Sequence, residues 1–329
     1  MTRLKRYSKA SLVILVTMFL GLNAVALLHA RAMTHFVPNG IRTAFPEQLS
    51  LWDKVVVLLT GVTVPRPRNG QLPTDFNLAS EDCTFTTSDG IRLAAWLIPT
   101  KDSQITFAMF HGYAGSRAFL LEEAVLLHDM GYTLLLVDFR GSGDSQGDTT
   151  TIGVDEARDV EATLAEARKR CPGQRIIALG QSMGAAAILR AVHTGLVSPD
   201  GMVLEAPFDR MLSTVENRFT AMRVPSWPFA NLLVYWGGWS IGIDAFTHNP
   251  VDYARSVKCP TLVFNGDQDR RVHPVEAIAV HDALQGWKRV KIFNGVGHLM
   301  YARKHPREWK ALVAELASNC HRTASLGGN

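Results

Sequence analysis

The sequence predicts an α/β protein: an eight-stranded, mostly parallel sheet with helices on both faces, a helical cap insertion and an N-terminal transmembrane helix. From residue 76 onward, short apolar runs of strand length alternate with helical stretches. The runs are continuously apolar, which is typical of parallel strands buried on both faces. An uncharged run of about 20 residues stands near the start of the chain. At 329 residues with 47% hydrophobic content, the chain is long enough to bury a full core.

The beginning of the chain has the pattern of a membrane segment. Four basic residues and no acidic one precede the first apolar run: Arg3, Lys5, Arg6 and Lys9. They are followed by the uncharged run 10–28, close to the roughly 20 residues that span a bilayer. Because more basic residues precede this run than follow it, we expect a single-pass protein with a cytoplasmic amino terminus and an extracytoplasmic remainder. Residues 1–32 form this leader and anchor.

A cleaved signal peptide is the alternative interpretation of residues 1–32. Ala30-Arg31-Ala32 has the small-x-small form of a cleavage site, and cleavage there would give a secreted protein. The apolar region of a signal peptide is usually about 7–15 residues long, so the longer run here favours an uncleaved anchor.

The net charge of +4 does not indicate a nucleic-acid partner. Removing the four leader residues leaves 30 basic and 30 acidic residues, so the rest of the chain is formally neutral. No G-x-x-x-x-G-K pattern predicts nucleotide binding. The four cysteines contain no C-x-x-C pair, and no cluster of ligand residues predicts a metal or a cofactor. We predict no particular disulfide pairing.

Residues 33–75 are expected to link the leader to the globular part. Within them, the apolar segment 55–64 is too short to span a membrane. Two interpretations stay open for this segment: it rests on the bilayer surface, or it packs against the globular domain. The Pro-rich stretch 65–73 leads into that domain.

The globular part begins with a hairpin, since Asp89-Gly90 separates two β-like runs at 83–87 and 92–98. Strands and helices alternate after it. The further strands are predicted at 105–110, 133–137, 175–179, 201–204, 261–264 and 289–293, and the helices at 116–130, at 154–170 and directly after residue 184.

Gly180-Gln181-Ser182-Met183-Gly184 lies between a predicted strand and a predicted helix. This is the context of a G-x-S-x-G nucleophile elbow, in which small neighbours allow the sharp turn that exposes a serine at the end of a strand. Ser182 is therefore the candidate nucleophile. A serine hydroxyl needs a base and an acid to activate it, and in such folds they follow in the order Ser, Asp or Glu, His.

His298 is the candidate base because it lies in a glycine-flanked loop directly after the last strand. The other histidines downstream of Ser182 lie in helix-like stretches or follow no strand. The acid is ambiguous, since Asp267 and Asp269 both stand in the loop after strand 261–264. Glu205, after the preceding strand, is a third option.

The acid loop carries a family resemblance. Gly266, Asp269, Val272 and Pro274, with His273 as one additional residue, match a pattern of the α/β-hydrolase superfamily. The chain most resembles the Bem46-like, serine aminopeptidase-like esterase branch. The resemblance covers roughly residues 76–318 and implies that Asp269 is the acid, while Asp267 shapes the turn. It also implies a cap at about 207–256. Residues 319–329, after the hydrolase domain, are expected to form a tail.

The oxyanion hole requires two backbone N–H groups aimed at the reacting carbonyl oxygen. Met183 follows the nucleophile and supplies the first. Tyr113, in the loop after strand 105–110, is the predicted second donor. The resemblance implies that His111 and the turn 138–145 are structural.

The cap is rich in aromatic residues, which suits an apolar acyl pocket or simply the cap's own core.

Together the features of the sequence predict a membrane-anchored serine hydrolase of the carboxylesterase or lipase type, acting on a small-molecule or lipid ester through an acyl-enzyme. A peptidase, thioesterase or acyltransferase with the same triad stays open, as does a catalytically silent binding module.

Overall fold

The computed structural model describes residues 2–44 and 49–326, and side chains within 9–44 and 49–320. The side chains of the leader residues Arg3, Lys5 and Arg6 lie outside that part, as do the last three residues of the tail. All four cysteines are described, and all four are free thiols.

The described residues form one eight-stranded sheet, which confirms the predicted fold class. The strands are β1 (Glu81–Thr86), β2 (Arg92–Ile98), β3 (Ile105–Phe110), β4 (Thr133–Asp138), β5 (Arg175–Gln181), β6 (Gly201–Glu205), β7 (Thr261–Gly266) and β8 (Lys288–Phe293). Their order across the sheet is β1-β2-β4-β3-β5-β6-β7-β8. The pairs β1–β2 and β2–β4 are antiparallel and the remaining pairs are parallel. The parallel strands therefore end at one common edge.

Helices cover both faces of this sheet. The helices of the described residues are α1 (Thr2–Thr34), α2 (Leu51–Thr60), α3 (Leu121–Asp129), α4 (Glu156–Arg170), α5 (Met183–His193), α6 (Met211–Met222), α7 (Phe229–Ile241), α8 (Pro250–Ala254), α9 (Pro274–Ala283), α10 (Tyr301–Lys304) and α11 (Pro306–Leu326). The helix predicted at 116–130 begins as a 3-10 turn, Arg117–Leu120, ahead of α3.

Side chains of one strand enter two separate cores. On β3, Ala108 and Phe110 pack with α4, α5, α8 and α9, whereas Phe107 and Met109 pack with α3, α10 and α11. Successive side chains point to opposite faces of a strand, and both faces are covered here. This explains why the sequence of β3 is apolar at nearly every position.

The cap helices α6 and α7 have a smaller core of their own. Val215 and Val234 pack there with Phe208 and with Val272 from the loop after β7. The amide of Asn217 on α6 donates to the backbone oxygen of Arg271, 3.1 Å away. The cap is thus attached to the loop that carries the candidate acid.

The N-terminal helix α1 continues beyond the apolar run that the sequence shows, to Thr34. Among the described helices, its segment Lys9–Thr34 is long and apolar enough to cross a membrane, by length and composition. Its C-terminal half packs against α7, where the indole Nε1 of Trp236 donates to Asn23 Oδ1 at 3.0 Å. Ala26 and Ala30 are buried.

The segment after α1 also contacts the globular domain. Isolated bridges join His35 to Thr149 and Val37 to Pro65. In contrast, α2 buries none of its side chains. Residues 33–75 therefore include both a docked stretch and an apolar helix with an open face.

Candidate active site

Ser182 occupies a strained turn between β5 and α5. Its φ is 50°, in the left-handed region that L-residues rarely adopt. The turn needs both neighbouring glycines, because a Cβ at Gly184 would lie 2.5 Å from the backbone oxygen of Phe110 and one at Gly180 would lie 2.6 Å from Ile188 Cδ1. Ser182 is half-buried at the carboxyl edge of the sheet. This geometry is that of the predicted elbow.

His298 and Asp269 are joined directly. His298 Nδ1 lies 2.7 Å from Asp269 Oδ2, and the Asp269 side chain is fully buried. The other carboxylate oxygen, Oδ1, accepts the backbone N–H groups of Arg271 at 2.8 Å and Val272 at 3.0 Å. Those two donors fix the orientation of the carboxylate. They leave Oδ2 to receive the imidazole N–H.

Asp267, the competing aspartate, has a different partner. Its Oδ1 accepts the backbone N–H of Val296 at 3.3 Å, which ties the acid loop to the histidine loop. The two loops approach closely because Gly266 has no side chain: a Cβ there would lie 2.6 Å from the backbone oxygen of Gly297. The geometry supports Asp269 as the acid and a turn-shaping role for Asp267.

Glu205, the third candidate acid, is engaged elsewhere. Its Oε1 accepts the indole N–H of Trp309 at 2.8 Å, and its Oε2 accepts from Gln181 Nε2 at 3.1 Å. Gln181 Nε2 also lies 3.2 Å from Glu123 Oε1. Burial raises the pKa of Glu205 to about 7. Burial, with the nearby charge of Glu205, raises the pKa of Glu123 to about 8.

The structure does not join Ser182 to His298: within residues 2–44 and 49–326, no hydrogen bond connects their side chains. Since Nδ1 of His298 is committed to Asp269, Nε2 is the ring nitrogen that remains for a proton from the serine. Catalytic hydrogen bonds are often long or poorly aligned in the absence of substrate.

The predicted oxyanion loop lies beside the serine. A Cβ at Gly112 would be 3.6 Å from Ser182 Cβ. Met183 begins α5, and Tyr113 stands in the loop after β3. In the described part of the chain, neither of their backbone N–H groups has a hydrogen-bond acceptor. Both are thus free to receive a ligand oxygen.

His111 holds this loop in place. Its Nδ1 lies 2.8 Å from the backbone oxygen of Gly112, and its Nε2 lies 3.1 Å from the backbone N of Phe139. The imidazole therefore donates from Nδ1 and accepts at Nε2. Burial lowers its pKa, which favours this neutral form. The contacts support the structural role expected for His111.

The turn at 138–145 is likewise held by its own contacts. Asp138 accepts the backbone N–H groups of Arg117 at 2.7 Å and Asp144 at 3.0 Å. Gly143, with φ 48°, packs against the Asp138 carboxylate with no room for a side chain. An acidic side chain fills the turn where a phosphate would need N–H donors.

The sequence did not predict that residues at the C-terminal end of α1 contact the candidate site. The Tyr113 hydroxyl donates to the backbone oxygen of Met33 at 2.7 Å. The backbone oxygen of Thr34 accepts the N–H of Thr150 at 2.9 Å, and the Thr150 hydroxyl lies 3.4 Å from Met183 Sδ. The end of α1 thus supports both residues of the predicted oxyanion hole. No local motif marks these contacts.

Comparison with known proteins agrees with this geometry. Residues 101–256 match a family model described as "Serine aminopeptidase, S33". A solved esterase, Pf2001 of Pyrococcus furiosus, superposes with a TM-score of 0.66 at 25% identity, over 77% of this chain and 96% of that one. The chain belongs to the α/β-hydrolase superfamily.

Sequence relatives extend over most of the hydrolase. The uncharacterized protein Rv2307c of Mycobacterium tuberculosis is 30% identical over 241 residues, which cover 70% of this chain and 78% of the relative. The α/β-hydrolase domain-containing protein WAV2 of Arabidopsis thaliana is 27% identical over 250 residues, covering 70% of the hydrolase and 73% of the relative.

Proposed function

We propose that this hydrolase is a membrane-anchored serine esterase that cleaves a carboxylic ester through an acyl-enzyme, with Ser182, His298 and Asp269 as its triad. The observation that carries the proposal is the 2.7 Å contact between His298 Nδ1 and the buried Asp269 carboxylate. Ser182, held in an elbow, lies at the same carboxyl edge of the sheet. The esterase neighbour supports the ester as substrate.

Each side chain has a defined task in this mechanism. Ser182 attacks the ester carbonyl while His298 Nε2 takes its proton, and the imidazolium later protonates the leaving alcohol. Asp269 keeps the Nδ1–H tautomer and stabilises the imidazolium. The hydrogen bond between Ser182 and His298 forms when the substrate binds.

Backbone N–H groups complete the mechanism. Those of Met183 and Tyr113 bind the oxygen of the tetrahedral intermediate as it becomes charged. Losing one such donor typically costs about 10²–10³ in rate. The two donors of the hole are therefore expected to contribute substantially to the rate of ester cleavage, in addition to the triad.

The packing of α1 supports an anchor over a cleaved signal peptide. Cleavage after Ala32 would remove Asn23 and Ala30, which lie against α7. The apolar side of α7 would then be exposed to water at a cost of roughly 25 cal/mol per Å². An intact α1, with its basic end in the cytoplasm, places the catalytic domain outside it.

Amide hydrolysis is the second candidate, because the matching family model is described as a serine aminopeptidase. The same triad would serve a peptidase, a thioesterase or an acyltransferase. Assays with matched ester, thioester and amide substrates of one acyl group separate these activities.

The test of the nucleophile is covalent labelling by a fluorophosphonate probe. We expect labelling of the full-length protein and none of Ser182→Ala. Ser116→Ala is the matched control, because Ser116 is a buried serine in the oxyanion loop whose hydroxyl donates to the backbone oxygen of Arg68. Labelling that persists in Ser182→Ala would assign the nucleophile to another residue.

A further inference from the structure

The helix α2 presents an apolar surface that the described protein leaves uncovered. The α2 face consists of Leu51, Trp52, Val55, Leu58 and Leu59. Leu51 is 83% exposed, Trp52 73% and Leu59 70%. An isolated exposed leucine needs no explanation, but a ten-residue helix with no buried side chain does.

Two contacts fix α2 beside the anchor helix and the cap. His29 Nε2 on α1 lies 3.0 Å from the backbone oxygen of Leu58. Lys54 Nζ donates to the backbone oxygen of Met222, the last residue of α6, at 3.5 Å. The α2 face is therefore held next to the C-terminal half of α1.

The cap helix α7 adds to the same region. It packs against α1 and has no charged residue along its length. Tyr235 and Trp239 on this helix are more than half exposed. Aromatic side chains of this kind are enriched where a protein meets the boundary between membrane and water.

The depth of the active site follows from the length of α1. A span that begins at Lys9 needs about 20 residues and ends near Leu28, since about 30 Å of hydrocarbon is crossed at 1.5 Å per residue. Met33 follows about five residues later, at most about 8 Å beyond the hydrocarbon. The headgroup region of one leaflet has a similar thickness, roughly 5–8 Å. Tilting α1 would only bring Met33 closer to the hydrocarbon.

The Tyr113 hydroxyl lies at that depth, because it is bonded directly to the Met33 backbone oxygen. The backbone of the oxyanion loop is one tyrosine side chain away from it. The acyl ester groups of glycerolipids lie at the boundary between hydrocarbon and headgroups. The anchor thus holds the predicted oxyanion hole within a tyrosine side chain's length of the depth of the lipid ester carbonyls.

From this we propose that the α2 face and the exposed side of α7 lie in the bilayer interface and that the active site takes its ester directly from a bilayer lipid. The inference rests on the proposed esterase function and names its substrate class.

A lipid bilayer is the occupant that these observations favour over a protein partner. The surface is continuous with the one described helix that can span a membrane. Of the two charged residues of α2, Lys54 donates to the cap, and the exposed Asp53 accepts from the N-cap Ser50 at the first turn of the helix. The rest of the exposed surface of α2 is mainly apolar, as is typical of the buried side of an interfacial helix.

The test compares one ester in a bilayer with one in solution. Full-length protein is reconstituted in phosphatidylcholine vesicles that carry a fluorogenic acyl-ester lipid, and p-nitrophenyl acetate is the soluble substrate. The variant combines Leu51→Ser, Trp52→Ser and Leu59→Ser on the α2 face. Leu196→Ser is the control, because Leu196 is a partly exposed leucine after the far end of α5, away from the carboxyl edge.

We expect the triple variant to hydrolyse the vesicle lipid at least tenfold more slowly, with unchanged turnover of p-nitrophenyl acetate. Because α1 is intact, the variant remains anchored, so detachment does not explain the loss. The control variant should match the unmodified protein on both substrates.

A second measurement requires no turnover. Lipids brominated near the headgroup end of the acyl chain should quench part of the tryptophan emission, and Trp52→Phe should remove a share of the quenched component. Equal lipid hydrolysis by the triple variant, or no quenching at Trp52, overturns the inference and leaves the esterase proposal intact. If the triple substitution changes only the oligomeric state, the α2 face binds a second copy of the chain, and the inference is also overturned. Absence of fluorophosphonate labelling at Ser182 refutes the esterase proposal itself.

Discussion

Replacing Asp269 by asparagine tests the triad with little change of shape. The backbone N–H groups of Arg271 and Val272 both donate to Oδ1, so the amide oxygen of the variant must occupy that position. Its NH₂ group must then face His298 Nδ1. Two donors cannot share that 2.7 Å contact, and the imidazole therefore carries its proton on Nε2 instead.

An imidazole protonated on Nε2 cannot take the proton of Ser182. Loss of the correct tautomer in a Ser-His-Asp triad typically lowers kcat by about 10⁴. At 1.36 kcal/mol for each factor of ten, this corresponds to about 5 kcal/mol of transition-state stabilisation. We expect that loss in kcat for p-nitrophenyl butyrate, with KM changed far less.

Asp267→Asn is the matched control. Asp267 lies in the same loop, and its Oδ1 accepts the backbone N–H of Val296, which an amide oxygen also does. We expect kcat to stay within about threefold of the unmodified protein, because surface changes of this kind cost little. If Asp269→Asn remains within tenfold of the unmodified protein while Asp267→Asn is inactive, the assignment of the acid is refuted.

Two further predictions follow from packing and burial. Gly266→Ala should lower kcat about 10²-fold, because the added Cβ would lie 2.6 Å from the Gly297 oxygen and displace the loop that carries His298 by about 1 Å. Gly297→Ala, where a Cβ has room, should cost only a few-fold, and equal losses would contradict this. Glu123 has a folded pKa raised from 4.5 to about 8, so the folded state binds more protons and the free energy of unfolding should fall as pH rises between these values. Glu123→Gln should therefore raise Tm more at pH 8 than at pH 5.5. The control Glu122→Gln, at an exposed neighbouring carboxylate, should show no such pH-dependent gain in Tm. If the Tm of Glu123→Gln and that of the unmodified protein change in parallel with pH, the buried carboxyl does not have this role.

The elements that the sequence predicted best are those with a local signal. Ser182 is an example: an apolar strand precedes it, glycines flank it, and an alanine-rich helix follows. The elbow needs those residue types within a few positions. Its position at the carboxyl edge then follows from the parallel sheet, in which strands of similar length end together.

The residue that acts as the acid was harder to predict from the sequence. Asp267 and Asp269 stand two residues apart in one loop, and residue type and spacing do not say which carboxylate turns toward His298. A family resemblance selected Asp269, and the contact with His298 supports that choice. The deciding structural feature is the pair of N–H donors on Oδ1, which depends on the path of the loop after Asp269.

Contacts across long stretches of sequence were not predictable. The bond between Tyr113 and Met33 joins residues 80 positions apart, and that between Trp236 and Asn23 joins residues 213 apart. Each uses common residue types with no spacing rule. The apolar character of α1 predicted a membrane segment, but an apolar helix can also pack against another helix, as α1 does against α7. The sequence pattern does not show which face of α1 contacts α7 and which face is left for lipid.

The position of α1 changes how the catalytic domain should be studied. The Met33 oxygen holds the Tyr113 side chain, and the Thr34 oxygen holds Thr150, which contacts Met183. A shortened protein that begins after residue 32 keeps these oxygens but loses the helix that positions them. Because a displacement of 1 Å can cost about 10² in rate, a weak esterase activity of such a fragment would report the loss of α1 rather than the absence of a serine hydrolase site. Activity should therefore be measured first on the full-length chain in a bilayer.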